Sequence, residues 1–178
     1  MKKSYELDMC NGPILGKILV FAIPLMISGI LQLLFNAADI IVVGRFTGSQ
    51  ALAAVGSTSA LINLIINLFI GVSVGANVVV ARNYGAKDYD GIHGAVHTSV
   101  LTAIWGGIIL IFVGILLARP MLEMMGTPED VIDLSVLYMR IYFVGIPVMM
   151  LYNFGAAILR AVGDTQRPLY FLFIAGVV

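Results

Sequence analysis

Residues 18–44 read ILVFAIPLMISGILQLLFNAADIIVVG, and between Lys17 and Arg45 the only charged side chain is Asp39. As a helix this run is ~40 Å long at ~1.5 Å per residue, enough to cross ~30 Å of hydrocarbon. A carboxylate inside such a span costs on the order of 2.5–3.5 kcal/mol on insertion scales. A segment serving only as an anchor would carry leucine there. An ionisable residue held inside a bilayer is by default an ion or substrate site, so this one helix bears on both the fold and the chemistry.

Composition agrees with a membrane solvent. Sixty per cent of the residues are hydrophobic and 11% charged, with a mean hydropathy of +1.02. Soluble domains average roughly 45–50% apolar and 25% charged residues. The net charge of zero says little about partners, because here the placement of charge along the chain is what matters. A single cysteine, Cys10, makes no internal disulfide, and no Cys/His spacing suits a metal. The first apolar run is far longer than the ~7–15 residue core of a cleaved signal peptide.

Charges and turn formers on either side of that run divide the rest. They predict an all-α polytopic bundle with helices over about 13–44, 51–81, 94–118, 132–159 and 168–178, after a cytoplasmic tail over 1–12. Arg45 to Gln50 forms the first loop, Arg82 to Gly91 the second, Arg119-Pro120 and the acidic stretch beyond it the third, and Arg160 to Pro168 the fourth. Four spans are complete. The fifth, opening at Pro168, covers only ~16 Å, about half a span, so the chain reads as the front of a longer bundle. With the N-terminus inside, the cytoplasmic segments hold Lys2, Lys3, Lys17, Arg82, Lys87, Arg160 and Arg167, and the outer loops only Arg45 and Arg119. This is the positive-inside pattern, and the expected location is the cell membrane, a prokaryotic cytoplasmic membrane being the expectation.

Several constellations could carry chemistry. Gln32, Asn36 and Asp39 are spaced i, i+4, i+7 and stack on one face of the first helix. Burial in a low-dielectric cavity favours the neutral form of a carboxyl group, which suits a residue that exchanges a proton. Asp39 with the Asn36 amide oxygen equally suits Na⁺, a hard cation that takes oxygen ligands, and the residues leave both open. Pro24 lies mid-helix, removes a backbone bond and predicts a kink, either static or a hinge. Ser59, Asn63 and Asn67 repeat every four residues in the second span, as a polar cavity wall or as interhelical hydrogen-bond glue. Gly71 and Gly75 then follow at a spacing suited to close helix approach. Tyr138, Tyr142, Met149 and Tyr152 share a face of the fourth span, a surface type that suits flat organic cations and also ordinary packing. His93 and His97, also i, i+4, read as an interfacial pair and not as a metal site. No HExxH, GxSxG or P-loop occurs and no second intramembrane carboxylate pairs with Asp39, so no catalytic residue is assigned. No basic patch interleaved with aromatics points to nucleic acid.

At these residues the chain resembles the N-terminal lobe of the multidrug and toxic compound extrusion (MATE) family of secondary transporters. The likeness rests on Pro24, on Asn36-Ala37-Ala38-Asp39 leading to Val43-Gly44-Arg45, on Gly75-Ala76-Asn77 through Arg82-Asn83-Tyr84-Gly85-Ala86, and on Leu159-Arg160-Ala161-Val162-Gly163-Asp164-Thr165-Gln166-Arg167-Pro168-Leu169. The resemblance implies a twelve-helix antiporter of two six-helix lobes, exporting small organic cations in exchange for H⁺ or Na⁺ and using no other cofactor. It makes Asp39 the coupling carboxylate, Asn36 its neighbour and Pro24 the bend of the first helix. Gln32, Asn63, Asn67, Tyr138, Tyr142, Met149 and Tyr152 are then candidates to line the cavity. The partners implied are the lipid bilayer and a C-terminal lobe beyond this chain. The alternatives are a flippase of lipid-linked saccharides from the same superfamily, whose substrate favours cationic cavity residues, and a non-transporting membrane fragment.

Overall fold

The computed structural model describes residues 14–46 and 48–177; the tail over 1–12, with Lys2, Lys3 and Cys10, lies outside the described residues. Five helices follow in order: α1 (Ile14–Phe46), α2 (Ser49–Gly85), α3 (Tyr89–Met124), α4 (Glu129–Ala161) and α5 (Gln166–Val177). The first four are each long and apolar enough to cross a membrane. The helices overrun the apolar runs that announce them. α2 carries Arg82 inside its last turn, and α3 begins at Tyr89 and passes through Pro120. Hydropathy marks the hydrocarbon slab, whereas a helix continues into the headgroup layer for as long as its backbone bonds close. Beyond Pro120 the last turn of α3 is bridged by Arg119 Nε to Glu123 Oε1 at 3.0 Å, and Arg119 Nη1 also meets Asp133 of α4 at 3.3 Å.

Three of the joints share one construction. Gly126 N–H donates to Glu123 O (3.0 Å) and Thr127 N–H to Leu122 O (3.1 Å), the paired bonds of a Schellman motif. Gly163 and Asp164 repeat it on Arg160 O and Leu159 O, and Lys87 and Asp88 on Tyr84 O and Asn83 O. Two of these joints then start the next helix with the same aspartate. Asp88 Oδ1 accepts Gly91 N–H at 3.0 Å, and Asp164 Oδ1 accepts Gln166 and Arg167 N–H at 3.1 Å each. The left-handed position is glycine in two of the three motifs (φ 73° and 85°) but lysine in the other, Lys87 at φ 58°. An L side chain in that conformation costs about 1–2 kcal/mol. Lys87→Gly should therefore raise the midpoint of chemical unfolding by an amount on that order. An unchanged or lower midpoint would mean that the lysine side chain holds something glycine cannot.

The bundle divides into two units. In the unit of residues 38–72 and 100–153, Ala103, Gly107, Gly114 and Ala118 of α3 are all buried, and the two glycines face α4. A Cβ on Gly107 would stand 2.7 Å from Pro147 Cα, and one on Gly114 would fall within the Phe143 ring. This is close helix approach through small residues, on α3 and not where the second span suggested it. Nothing lies within 4 Å of a Cβ built on Gly71 or Gly75, so the expectation for those two is corrected. Their spacing fits the pattern, but among the described residues no neighbouring helix comes against it. Ser57 and Ser135 hydroxyls, 3.0 Å apart, link α2 to α4.

The other unit gathers residues 14–37, 73–99 and 154–177. Asn77 Nδ2 reaches across from α2 to donate to Ala157 O of α4 at 2.6 Å. Gly176 of α5 has the Phe35 ring of α1 where its Cβ would be. Asp164 is fully buried, and its second oxygen lies 3.1 Å from Arg167 Nε as an ion contact without aligned hydrogen-bond geometry.

Candidate functional site

α1 runs from Ile14 to Phe46, mostly apolar, with Pro24 the proline inside it. Pro24 is buried, and Ser28 Oγ donates to Pro24 O at 2.8 Å. A proline ring and a serine bonding back one turn are both features that bend helices. Over the next three turns beyond Ser28 the helix presents its polar residues. Gln32, Asn36 and Asp39 are all exposed, and among the described residues neither Gln32 nor Asn36 makes a side-chain hydrogen bond.

Asp39 has no ion-pair partner among the described residues, yet it is not isolated. Tyr138 of α4 lies within electrostatic range of it, and Tyr138 in turn lies beside Tyr142. The two rings are tilted 37° with centroids 6.4 Å apart, within the usual range of aromatic pairs. Both tyrosines are half-buried. The structure thus brings together residues that the sequence offered separately: a carboxylate on the first span and two phenols on the fourth. Met149 is exposed and Tyr152 half-buried further along the same span.

The second span behaves differently. Asn67 Nδ2 donates to Asn63 O, 2.8 Å away on its own helix, and Ser59 Oγ to Val55 O at 2.7 Å. Asn63 and Asn67 are both exposed, and neither bonds across to another helix. Polar links from α2 to α4 include Ser57 to Ser135 and Asn77 to Ala157. Asn77 was visible only inside the Gly75-Ala76-Asn77 stretch, and the two serines carried no signal, since a serine in a span equally bonds its own backbone. Among the described residues no three His, Cys, Asp or Glu side chains gather to hold a metal, and His93 and His97 are exposed.

Chemically, the arrangement offers a carboxylate that can take a proton or a hard cation, next to phenols that present both a hydroxyl and a π face. The family profile MatE matches residues 24–178. A probable multidrug resistance protein of Bacillus subtilis, YoeA, is 35% identical over 159 residues, covering 89% of this chain and 34% of that protein. An FAD transporter of Shewanella oneidensis is 27% identical over 170 residues, covering 96% and 37%. Crystal structures of MATE in the bent and in the straight conformation each superpose with a TM-score of 0.83 at 28% identity, over 90% of this chain and 36% of that one. A MOP superfamily transporter from Pyrococcus furiosus, described as having a binding pocket of reverse polarity, does so at 0.84, with the same identity. The chain spans about a third of the length of the curated relatives it matches.

Proposed function

The chain belongs to the MatE family, and on that premise we propose that it supplies part of the N-terminal lobe of a secondary antiporter that exports small organic cations in exchange for H⁺ or Na⁺. The observation that carries this reading is Asp39, exposed on a membrane-length helix with Tyr138 within electrostatic reach. The protein sits in the cytoplasmic membrane with its N-terminus inside. A carboxylate in a desolvated site accepts either a proton or an organic cation, and the entry of one releases the other. Tyr138, Tyr142 and Met149 suit the organic cation, through ring faces that attract positive charge and a thioether that adapts to shape. Asn36 offers a further amide oxygen to a coupling cation.

The test uses the longer protein that contains this chain, reconstituted in vesicles loaded with a fluorescent organic cation. Under an imposed pH gradient and, separately, a Na⁺ gradient, the dye should move against one of the two. Movement under neither gradient would sink the antiport reading. The FAD transporter among the relatives handles an anionic compound, so unlabelled FAD belongs in the same assay as a competitor. Strong competition by FAD and none by organic cations would replace the cation reading with an anion one.

Pro24, buried mid-helix with Ser28 bonded back to its carbonyl, provides the link to shape change. Pro24→Ala restores a backbone bond and straightens the helix. Transport should fall several-fold while dye binding at equilibrium stays unchanged. A normal transport rate would reduce Pro24 to a static kink.

A further inference from the structure

Arg140 is the other charge inside a span, and neither the coupling site nor the helix packing uses it. It lies in α4 and is exposed, and among the described residues it makes no hydrogen bond or ion pair. It stands two residues from Tyr138, about 200° around the helix, so it is directed away from the side that meets Asp39. Its own flank carries Leu137, Ile141, Val144 and Val148, each more than half exposed. An unpaired guanidinium on such an apolar flank is strongly unfavourable unless an anion or the interface reaches it. Asp39 is on the wrong side, and the acidic residue two turns along the same flank, Asp133, is engaged by Arg119.

The direction of the side chain supplies the rest. In an α-helix the Cα–Cβ bond tilts toward the helix N-terminus, and for Arg140 that is also the nearer end, at Glu129. Asp133 marks the polar level there, ~10 Å away at ~1.5 Å per residue. An extended arginine side chain covers most of that distance, with its methylenes against the apolar flank and its head in the interface. We propose that Arg140 anchors a phospholipid of the leaflet at the Glu129 end of α4. The guanidinium takes two phosphate oxygens and the acyl chains lie along Leu137, Ile141, Val144 and Val148. Arginine's planar fork suits a phosphate in a way a point charge does not.

Native mass spectrometry of the protein, titrated in detergent with dioleoylphosphatidylglycerol, tests the assignment, and dioleoylglycerol serves as the tail-only control. One phosphatidylglycerol should bind about fivefold more tightly to the unaltered protein than to Arg140→Gln, the factor matching roughly 1 kcal/mol per basic residue near a membrane surface. Dioleoylglycerol should bind both alike, and Arg140→Lys should retain part of the preference. Equal binding of phosphatidylglycerol by the unaltered protein and Arg140→Gln would overturn the proposal. So would a flat titration of the unaltered protein, which would mean that a protein carboxylate beyond this chain already neutralises the guanidinium. Should Arg140→Gln fail to fold, the Arg140→Lys titration decides alone, with no weakening counting against phosphate recognition by the arginine fork.

Discussion

Asp39→Asn should bring ion-coupled transport by the longer protein down to the leak of protein-free vesicles, with its yield in the membrane undiminished. The two side chains are nearly the same size and both accept hydrogen bonds, so the local helix is left intact. What the amide lacks is the ability to take up and release a proton, or to neutralise a cation. Membrane insertion should be no harder, since the amide brings no charge into the bilayer. The variant should still bind the tyrosine pair's ligands, with an affinity lowered by the lost charge. Undiminished dye efflux by Asp39→Asn, measured under the gradient that drives the unaltered protein, would remove Asp39 from the coupling role and leave it a polar packing residue. A variant missing from the membrane would point the same way, to a structural role.

Gly114→Leu should unfold the contact between α3 and α4. A Cβ at that position already falls within the Phe143 ring, and that ring is only 1% exposed, leaving it no direction in which to move. Overpacking of a tight core costs on the order of 3 kcal/mol, and here the helices must separate to accommodate it. Loss of the monodisperse peak in size-exclusion chromatography, or a much lower midpoint in denaturant, would report it. Gly71→Ala is the matched control. Nothing lies within 4 Å of its new methyl, so the change should be neutral or stabilising by about 0.5–1 kcal/mol through helix propensity. If both substitutions behave alike, the α3–α4 seam opens to admit the added side chain. A shrunken ring, as in Phe143→Leu, should partly rescue Gly114→Ala.

That contrast shows where the sequence stopped being informative. Small residues at a four-residue spacing drew attention to Gly71 and Gly75, yet among the described residues nothing stands against either, while Gly107 and Gly114 lie against Pro147 and Phe143. Lipid tails are as apolar as leucine, so no hydrophobic stripe marks which face of a span meets its neighbour. The same ambiguity surrounds the asparagines. Asn67 turns back to its own helix and Asn77 crosses to Ala157, though both are single amides in an apolar run. Whether an amide bonds at home or abroad depends on which carbonyl a neighbour brings within reach. Arg119-Pro120 likewise marked the end of the apolar run but not of α3, because an ion pair to Glu123 spans the turn beyond it.

What the sequence determined by itself was the class of protein: an all-helical membrane bundle with four membrane-length helices, and a charge at Asp39 that demands a reason. Those properties follow from local composition, since transfer of each residue from water to hydrocarbon depends on that residue and the length of its run. The tertiary structure alone decided that Asp39 has Tyr138 for a neighbour, that Arg140 is on the other side of α4 from that pair, and that α3 and α4 touch through glycine. Each of these is a relation between helices, set by shape complementarity and by the few polar groups that find partners. Neither quantity is written in the periodicity of any one helix.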